Sequence, residues 1–179
     1  MPVISWTNLS VTSQQIPNCT YIDANALVTA FTQGSASHAP ASSFVFAVLL
    51  DRSKQLAVSP LVLAECYCTI FRLRYRQQKN CNATAPLVKA DRAFQRSCHT
   101  ELDKFFAFIE KFVQLGRILV VDNQASARGT ALTAIKDIPL LPYDALHYAS
   151  LRSAGIKGIA TRDADFDAIA DPDLTVLSL

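Results

Sequence analysis

A chain of 179 residues holds one ordinary domain with a full core and is short for two. Half of the residues are apolar and 18% carry charge, which excludes a disordered or fibrous chain; a formal net charge of +2 is too small to predict a nucleic-acid partner by itself. The longest apolar run, "FVFAVLL" at 44–50, is far short of a bilayer span, and the N-terminus has neither a basic nor an apolar region, so neither export nor a membrane is expected.

In chain order, residues 1–18 are polar and mixed, contain Pro2 and Pro17, and show no sustained periodicity. They read as an extension ahead of a domain spanning 19–179. From "TYIDANALVTAF" onward, short apolar runs alternate with longer segments of helical period, the pattern of an α/β domain with a mainly parallel sheet of four to five strands. A strand "YID" near 20–23 leads to helices over 25–33 and 42–53, and a strand "LAVS" at 56–59 leads to a helix over 60–78. One long helix over 88–115 precedes the strand "RILVVD" at 117–122, followed by helices over 124–135 and 143–154. The strand "GIAT" at 158–161, a short turn near 165–170 and the strand "LTVLS" at 174–178 complete the pattern.

Two helix ends are well punctuated. Ser59 is placed to cap a helix with Pro60 at its first position, and Gly155 supplies the left-handed residue after a helix ending at Ala154. Within 88–115, Leu102, Phe105, Phe106, Ile109, Phe112 and Val113 keep a three-four spacing and are expected to form one buried stripe. The five cysteines, at 19, 66, 68, 81 and 98, do not make a disulfide framework; with no export signal they read as reduced thiols in a cytoplasmic protein.

In an open α/β sheet, ligands bind outside the carboxyl ends of the strands. Four acids fall there: Asp23 at the end of the first strand, Glu65 on the helix after the second, Asp144 opening "YDALHYASLRSAG", and Asp163 after "GIAT". Asp23 also suits an Asx turn, Asp144 a first helical turn facing the positive end of the dipole, and Asp163 or Asp165 the cap of a short turn. Glu65 is the only charge in "SPLVLAECYCTIF", costly unless it is exposed, hydrogen-bonded or bound to a cation. Clustered carboxylates repel and hold protons unless a cation neutralises them, and oxygen-only ligands suit Mg²⁺ or Mn²⁺. Such ions serve phosphoryl chemistry, so phosphodiester cleavage is the natural inference.

"YIDANAL", "SPLVLAECY", "YDALHYASLRSAG" and "IATRDADF" together resemble, in order and character, the PIN-domain nucleases, and are most like the VapC-type toxins of bacterial toxin–antitoxin pairs. The resemblance covers roughly 20–179 and implies a three-layer α/β/α domain and a metal-dependent ribonuclease that hydrolyses RNA with a metal-activated water. It implies Asp23, Glu65, Asp144 and Asp163 as the acids holding Mg²⁺ or Mn²⁺, with Asp165 as an outer carboxylate. Asn25, Thr161 and His147 would support the acids or the substrate. A cognate antitoxin and a homodimer follow from the resemblance alone. The extension 1–18 and the longer middle around "RQQKNCNATAPLVKADRAFQRSCH" depart from the usual short toxin.

Other constellations compete. "DADFDAIADPDL" has Ala168 where a calcium loop needs Gly and Leu174 where it needs Glu. "DAN" after a strand resembles the haloacid-dehalogenase phosphatases, but Asn25 stands in place of their second Asp. Cys66 and Cys68, two apart on a helix, diverge and cannot chelate zinc together. His147, one turn after Asp144, reads first as a satisfied structural histidine. Arg72, Arg76 and Lys79 in "RLRYRQQK" suit RNA phosphates or an acidic partner, although a solvated helix face is the plainer reading. The alternative to an enzyme is a catalytically silent PIN-like module that binds RNA or protein.

Overall fold

The computed structural model describes residues 3–5, 15–32, 37–122, 125–138 and 140–179. The elements in order are β1 (Val3–Ser5), β2 (Cys19–Ile22), α1 (Ala24–Phe31), α2 (His38–Leu50), β3 (Gln55–Val58), α3 (Pro60–Lys79), α4 (Ala85–Ala90), α5 (Arg92–Ser97), α6 (His99–Gln114), β4 (Ile118–Val120), α7 (Ala125–Asp137), α8 (Pro142–Ser153), β5 (Gly158–Thr161), a 3₁₀ turn (Ala164–Ala168) and β6 (Thr175–Ser178). Among the described residues no helix is long and apolar enough to cross a membrane.

The strands form one sheet in the order β1-β6-β5-β2-β3-β4, with every pair parallel. Successive strand residues point to opposite faces, and all of β5 and the last three residues of β2 and β3 are buried. Both faces of the central strands are therefore covered, which makes the α/β arrangement a three-layer one. The core runs through Tyr21, Ile22, Leu27, Phe44, Leu56 and Ile159, all fully buried.

The helix expected over 42–53 runs earlier, as α2, and the structure differs more substantially from the sequence reading in three other places. First, residues 3–5 do not stand apart: β1 pairs with β6, Val3 opposite Val176, and makes a sixth strand. Ile16 is also buried in the main core. The segment 15–18 is anchored by Lys54, whose Nζ donates to the Ile16 carbonyl at 2.6 Å and to Asn18 Oδ1 at 3.3 Å.

Second, the helix expected over 88–115 is three helices. Asp91 leaves helical geometry at ψ 82° and its carboxylate accepts from the Phe94 N–H at 2.9 Å, so it ends α4 and caps α5. A second break falls at Cys98 before α6. Third, the stripe on α6 is buried only along part of its width: Phe105 and Ile109 face the core, whereas Phe106 is 47% and Val113 36% exposed. Each exposed residue follows a core-facing one and is turned about 100° from it around the axis.

The predicted punctuation is present. Ser59 Oγ accepts from the Val62 N–H at 3.3 Å with Pro60 at the first position of α3, and Gly155 adopts φ +67° after α8. Arg117, just ahead of β4, donates from its guanidinium to the main-chain carbonyls of Val48 at 2.9 Å, Leu49 at 3.1 Å, Arg52 at 3.1 Å and Asp51. It thereby satisfies carbonyls that the end of α2 leaves without helical partners. Away from the main core, Tyr75, Ala83, Phe94 and Cys98 form a separate apolar cluster joining α3 to α5, with Phe71 and Val88 packed against it.

Candidate active site

From β2 the chain builds the sheet outward through β3 to β4, then returns to the other side of β2 to lay down β5 and β6. The order reverses between β2 and β5, and in open α/β sheets a crevice opens at such a point outside the carboxyl ends of the strands. There, a cleft of about 470 Å³ is lined by Asp23, Glu65, Asp144 and Asp163 together with Asn25, Arg72 and His147. All four acids singled out from the sequence thus meet in one place. A larger groove of about 590 Å³, between α1, α3 and α6, contains Glu101 as its one acid beside Arg74 and Lys104 and lacks such a cluster.

Each acid is held differently. Asp23 directly follows β2 and is 5% exposed; its N–H donates to the Ala160 carbonyl of β5 at 3.0 Å. One carboxylate oxygen accepts from the Ala26 N–H at 3.0 Å, capping α1, and the other accepts from the Thr161 hydroxyl. The cap and the cleft position are one residue's two tasks, so the turn-like reading of Asp23 is compatible with a place in the site. Asp163 likewise caps the 3₁₀ turn by accepting from the Asp165 N–H at 3.0 Å, while its own N–H donates to Thr161 Oγ1 at 2.9 Å. The Thr161 hydroxyl, almost fully buried, therefore bridges the acids that follow β2 and β5.

Asp144 sits in the first turn of α8. Among the described residues, the acids whose ligand atoms all lie within 4.8 Å of one another are Asp144, Asp163 and the exposed Asp165. Glu65 on α3 is half-buried, and its Oε2 is 2.8 Å from His147 Nε2. That contact supplies the hydrogen bond that a lone Glu in an apolar helix requires. His147 belongs to the site's wall as well as to the core.

Burial pushes the Asp23 carboxyl above the usual range, against the lowering effect of the Thr161 and Ala26 hydrogen bonds. Asp144 is also raised, first by burial and then by the neighbouring Asp163 charge. Burial and repulsion favour the protonated forms of these groups, and a bound cation would offset both. The acids offer oxygen donors only, as Mg²⁺ or Mn²⁺ prefers, and Asp144, Asp163 and Asp165 are close enough to share such an ion, whereas Asp23 and Glu65 line the same cleft outside that group. Cys66 lies next to the cleft, but burial and then Asp23 and Glu65 push its thiol far up, so it stays protonated; Cys68 is exposed.

The basic residues divide. Arg72 reaches the cleft rim, two helical turns beyond Glu65, and makes no ion pair among the described residues. Lys79 is paired with Asp91 at 3.0 Å. Arg76 is exposed and does not line the cleft. Sequence reasoning did not single out Tyr21 as a site residue, although its hydroxyl lies 2.9 Å from His147 Nδ1. The available signal was a phenol in a short buried strand, since a buried Tyr hydroxyl needs a partner.

Solved structures of similar fold include VapC20 from Mycobacterium tuberculosis, a sarcin-ricin loop cleaving toxin. It has a TM-score of 0.55 at 17% identity, covering 87% of this chain and 98% of that one. VapBC2 from Rickettsia felis bound to a DNA fragment from their promoter scores 0.53 at 13% identity, covering 88% and 96%. FitAcB from Neisseria gonorrhoeae scores 0.50 at 14% identity, covering 89% and 96%. No curated protein matches the sequence significantly. The PIN domain family matches residues 20–172, most of the chain including all four acids, and the protein belongs to that family.

Proposed function

We propose that the protein is a metal-dependent ribonuclease of the VapC kind, the toxin of a toxin–antitoxin pair. The observation that carries this reading is the convergence of Asp23, Glu65, Asp144 and Asp163 on one cleft, with Asp23 and Asp144 raised by burial. Asp23, Glu65, Asp144 and Asp163 would hold Mg²⁺ or Mn²⁺, with Asp165 as an outer carboxylate. When bound, the ion neutralises the acids, lowers the pKa of water and stabilises charge on a phosphodiester.

The chain's own residues supply the rest. Thr161 links the Asp23 carboxylate to the Asp163 main-chain N–H through one hydroxyl. Asn25, exposed at the start of α1, presents an amide to the cleft for a substrate phosphate. Arg72 offers a guanidinium at the rim for the phosphate of a neighbouring nucleotide. The naming of VapC20 as a toxin that cleaves the sarcin-ricin loop supports structured RNA as substrate. The naming of VapBC2 as a complex supports an antitoxin partner. A cytoplasmic homodimer completes the reading.

The test is incubation of purified protein with structured RNA and Mn²⁺, beside Asp23→Asn and an EDTA control. Cleavage by the wild type that disappears in both controls is expected. A wild type that cleaves no RNA and gains no thermal stability from Mn²⁺ would instead identify a silent binding module.

A further inference from the structure

Three buried side chains lead to Glu65 from behind the cleft. Ser59 Oγ lies 2.7 Å from Tyr21 Oη, Tyr21 Oη lies 2.9 Å from His147 Nδ1, and His147 Nε2 lies 2.8 Å from Glu65 Oε2. Ser59 and Tyr21 are 0% exposed and His147 is 4% exposed, so water does not compete for the Ser59–Tyr21 and Tyr21–His147 contacts. They come from the end of β3, from β2 and from α8, which means that the sheet and two helices must be correctly assembled before the row exists.

The row also has a direction. The Val62 N–H already donates to Ser59 Oγ, so the serine hydroxyl is free to donate onward to Tyr21. The Tyr21 hydroxyl donates to His147 Nδ1 in the tautomer that leaves that nitrogen without a hydrogen. In that tautomer Nε2 carries the ring hydrogen and donates to Glu65 Oε2. With this tautomer every donor points toward Glu65, the arrangement of a cooperative hydrogen-bond chain. Among the described residues no hydrogen bond engages Glu65 Oε1.

We infer that Ser59, Tyr21 and His147 form a positioning relay that fixes Glu65 by Oε2 and keeps Oε1 for the cation. The relay acts through Glu65, and of its members only His147 lines the cleft. It rests on the reading of Glu65 as a metal-holding residue. Outer partners of this type typically change metal affinity by about 10- to 100-fold.

The experiment titrates Mn²⁺ alone into the metal-free full chain by calorimetry. Tyr21→Phe keeps the ring and removes the hydroxyl; it is expected to weaken Mn²⁺ binding about 10-fold or more. In a Glu65→Ala background the same change is expected to cost nothing further, because the relay has lost its target. As a second route, His147→Ala should bind weakly and His147→Gln, whose amide can still donate to Glu65, should recover most of the affinity. Wild-type affinity in Tyr21→Phe, or the same loss with and without the Glu65 side chain, would overturn the inference while leaving the metal site standing. A wild type that binds no Mn²⁺ removes the metal reading itself and the relay's role with it.

Discussion

Thr161 carries two contacts on one hydroxyl, which makes Thr161→Val an informative perturbation. Valine keeps the branched shape but leaves one Asp23 carboxylate oxygen without the Thr161 donor and the Asp163 N–H without its acceptor, at a site that is 1% exposed. A hydrogen bond to a charged group contributes about 1.5–3 kcal/mol and a neutral one about 0.5–1.5 kcal/mol, so the substitution should cost about 2–4 kcal/mol where Asp23 is ionised. For a domain of this size that corresponds to roughly 5–15 °C in Tm. The cost should shrink as pH falls through the raised Asp23 value, because a protonated Asp23 makes only neutral hydrogen bonds. Urea unfolding followed by circular dichroism at about pH 5 and about pH 8 measures both quantities, with Thr161→Ser as the control that keeps the hydroxyl. A valine variant within about 0.5 kcal/mol of wild type at both pH values would refute the bridging role.

Raised carboxyls give a pH signature. Asp23 and Asp144 bind more protons folded than unfolded above the ordinary Asp value of about 3.9, so metal-free stability declines as pH rises from there through their raised values. Mn²⁺ needs the ionised acids, so its stabilising effect on Tm should grow between about pH 5 and pH 8; a larger effect at the acid end would contradict the assignment. Gly158→Ala would place a Cβ 2.7 Å from Pro17 Cγ and 3.1 Å from Pro17 Cβ. Because a proline ring cannot swing aside, the expected loss is about 1–3 kcal/mol by denaturant titration. Arg117→Met removes the donors that close the end of α2 and should cost about 1–3 kcal/mol by the same measurement, with Arg117→Lys restoring only part because one ammonium cannot reach four carbonyls.

The acids were legible because their positions follow from chain-local signals: each falls near the end of an apolar run or early in a helix, and a parallel sheet brings such ends together. Ser59 and Pro60 were legible for the same reason, since a cap and its helix are neighbours in sequence. The Tyr21 to His147 contact was not, because it joins residues 126 positions apart and depends on how α8 docks. The break at Asp91 was hidden by apolar spacing that continues across it; the capping carboxylate and its ion pair with Lys79 decide the matter. The width of the α6 stripe was overestimated because spacing identifies a face without saying how far the neighbouring layer extends over it. β1 escaped because three residues are too few for a period to register.

The separate cluster of Tyr75, Ala83, Phe94 and Cys98 divides the molecule's cooperativity. α4 contributes no buried residue and α5 only Phe94, so this flank can open and close on little apolar surface while the sheet stays assembled. Its amides should exchange with solvent by local opening, at a free energy well below that of the strands leading to Asp23 and Asp163. The acids thereby sit on the rigid part of the chain, and the flank around α4 and α5 can change length or partner without moving them.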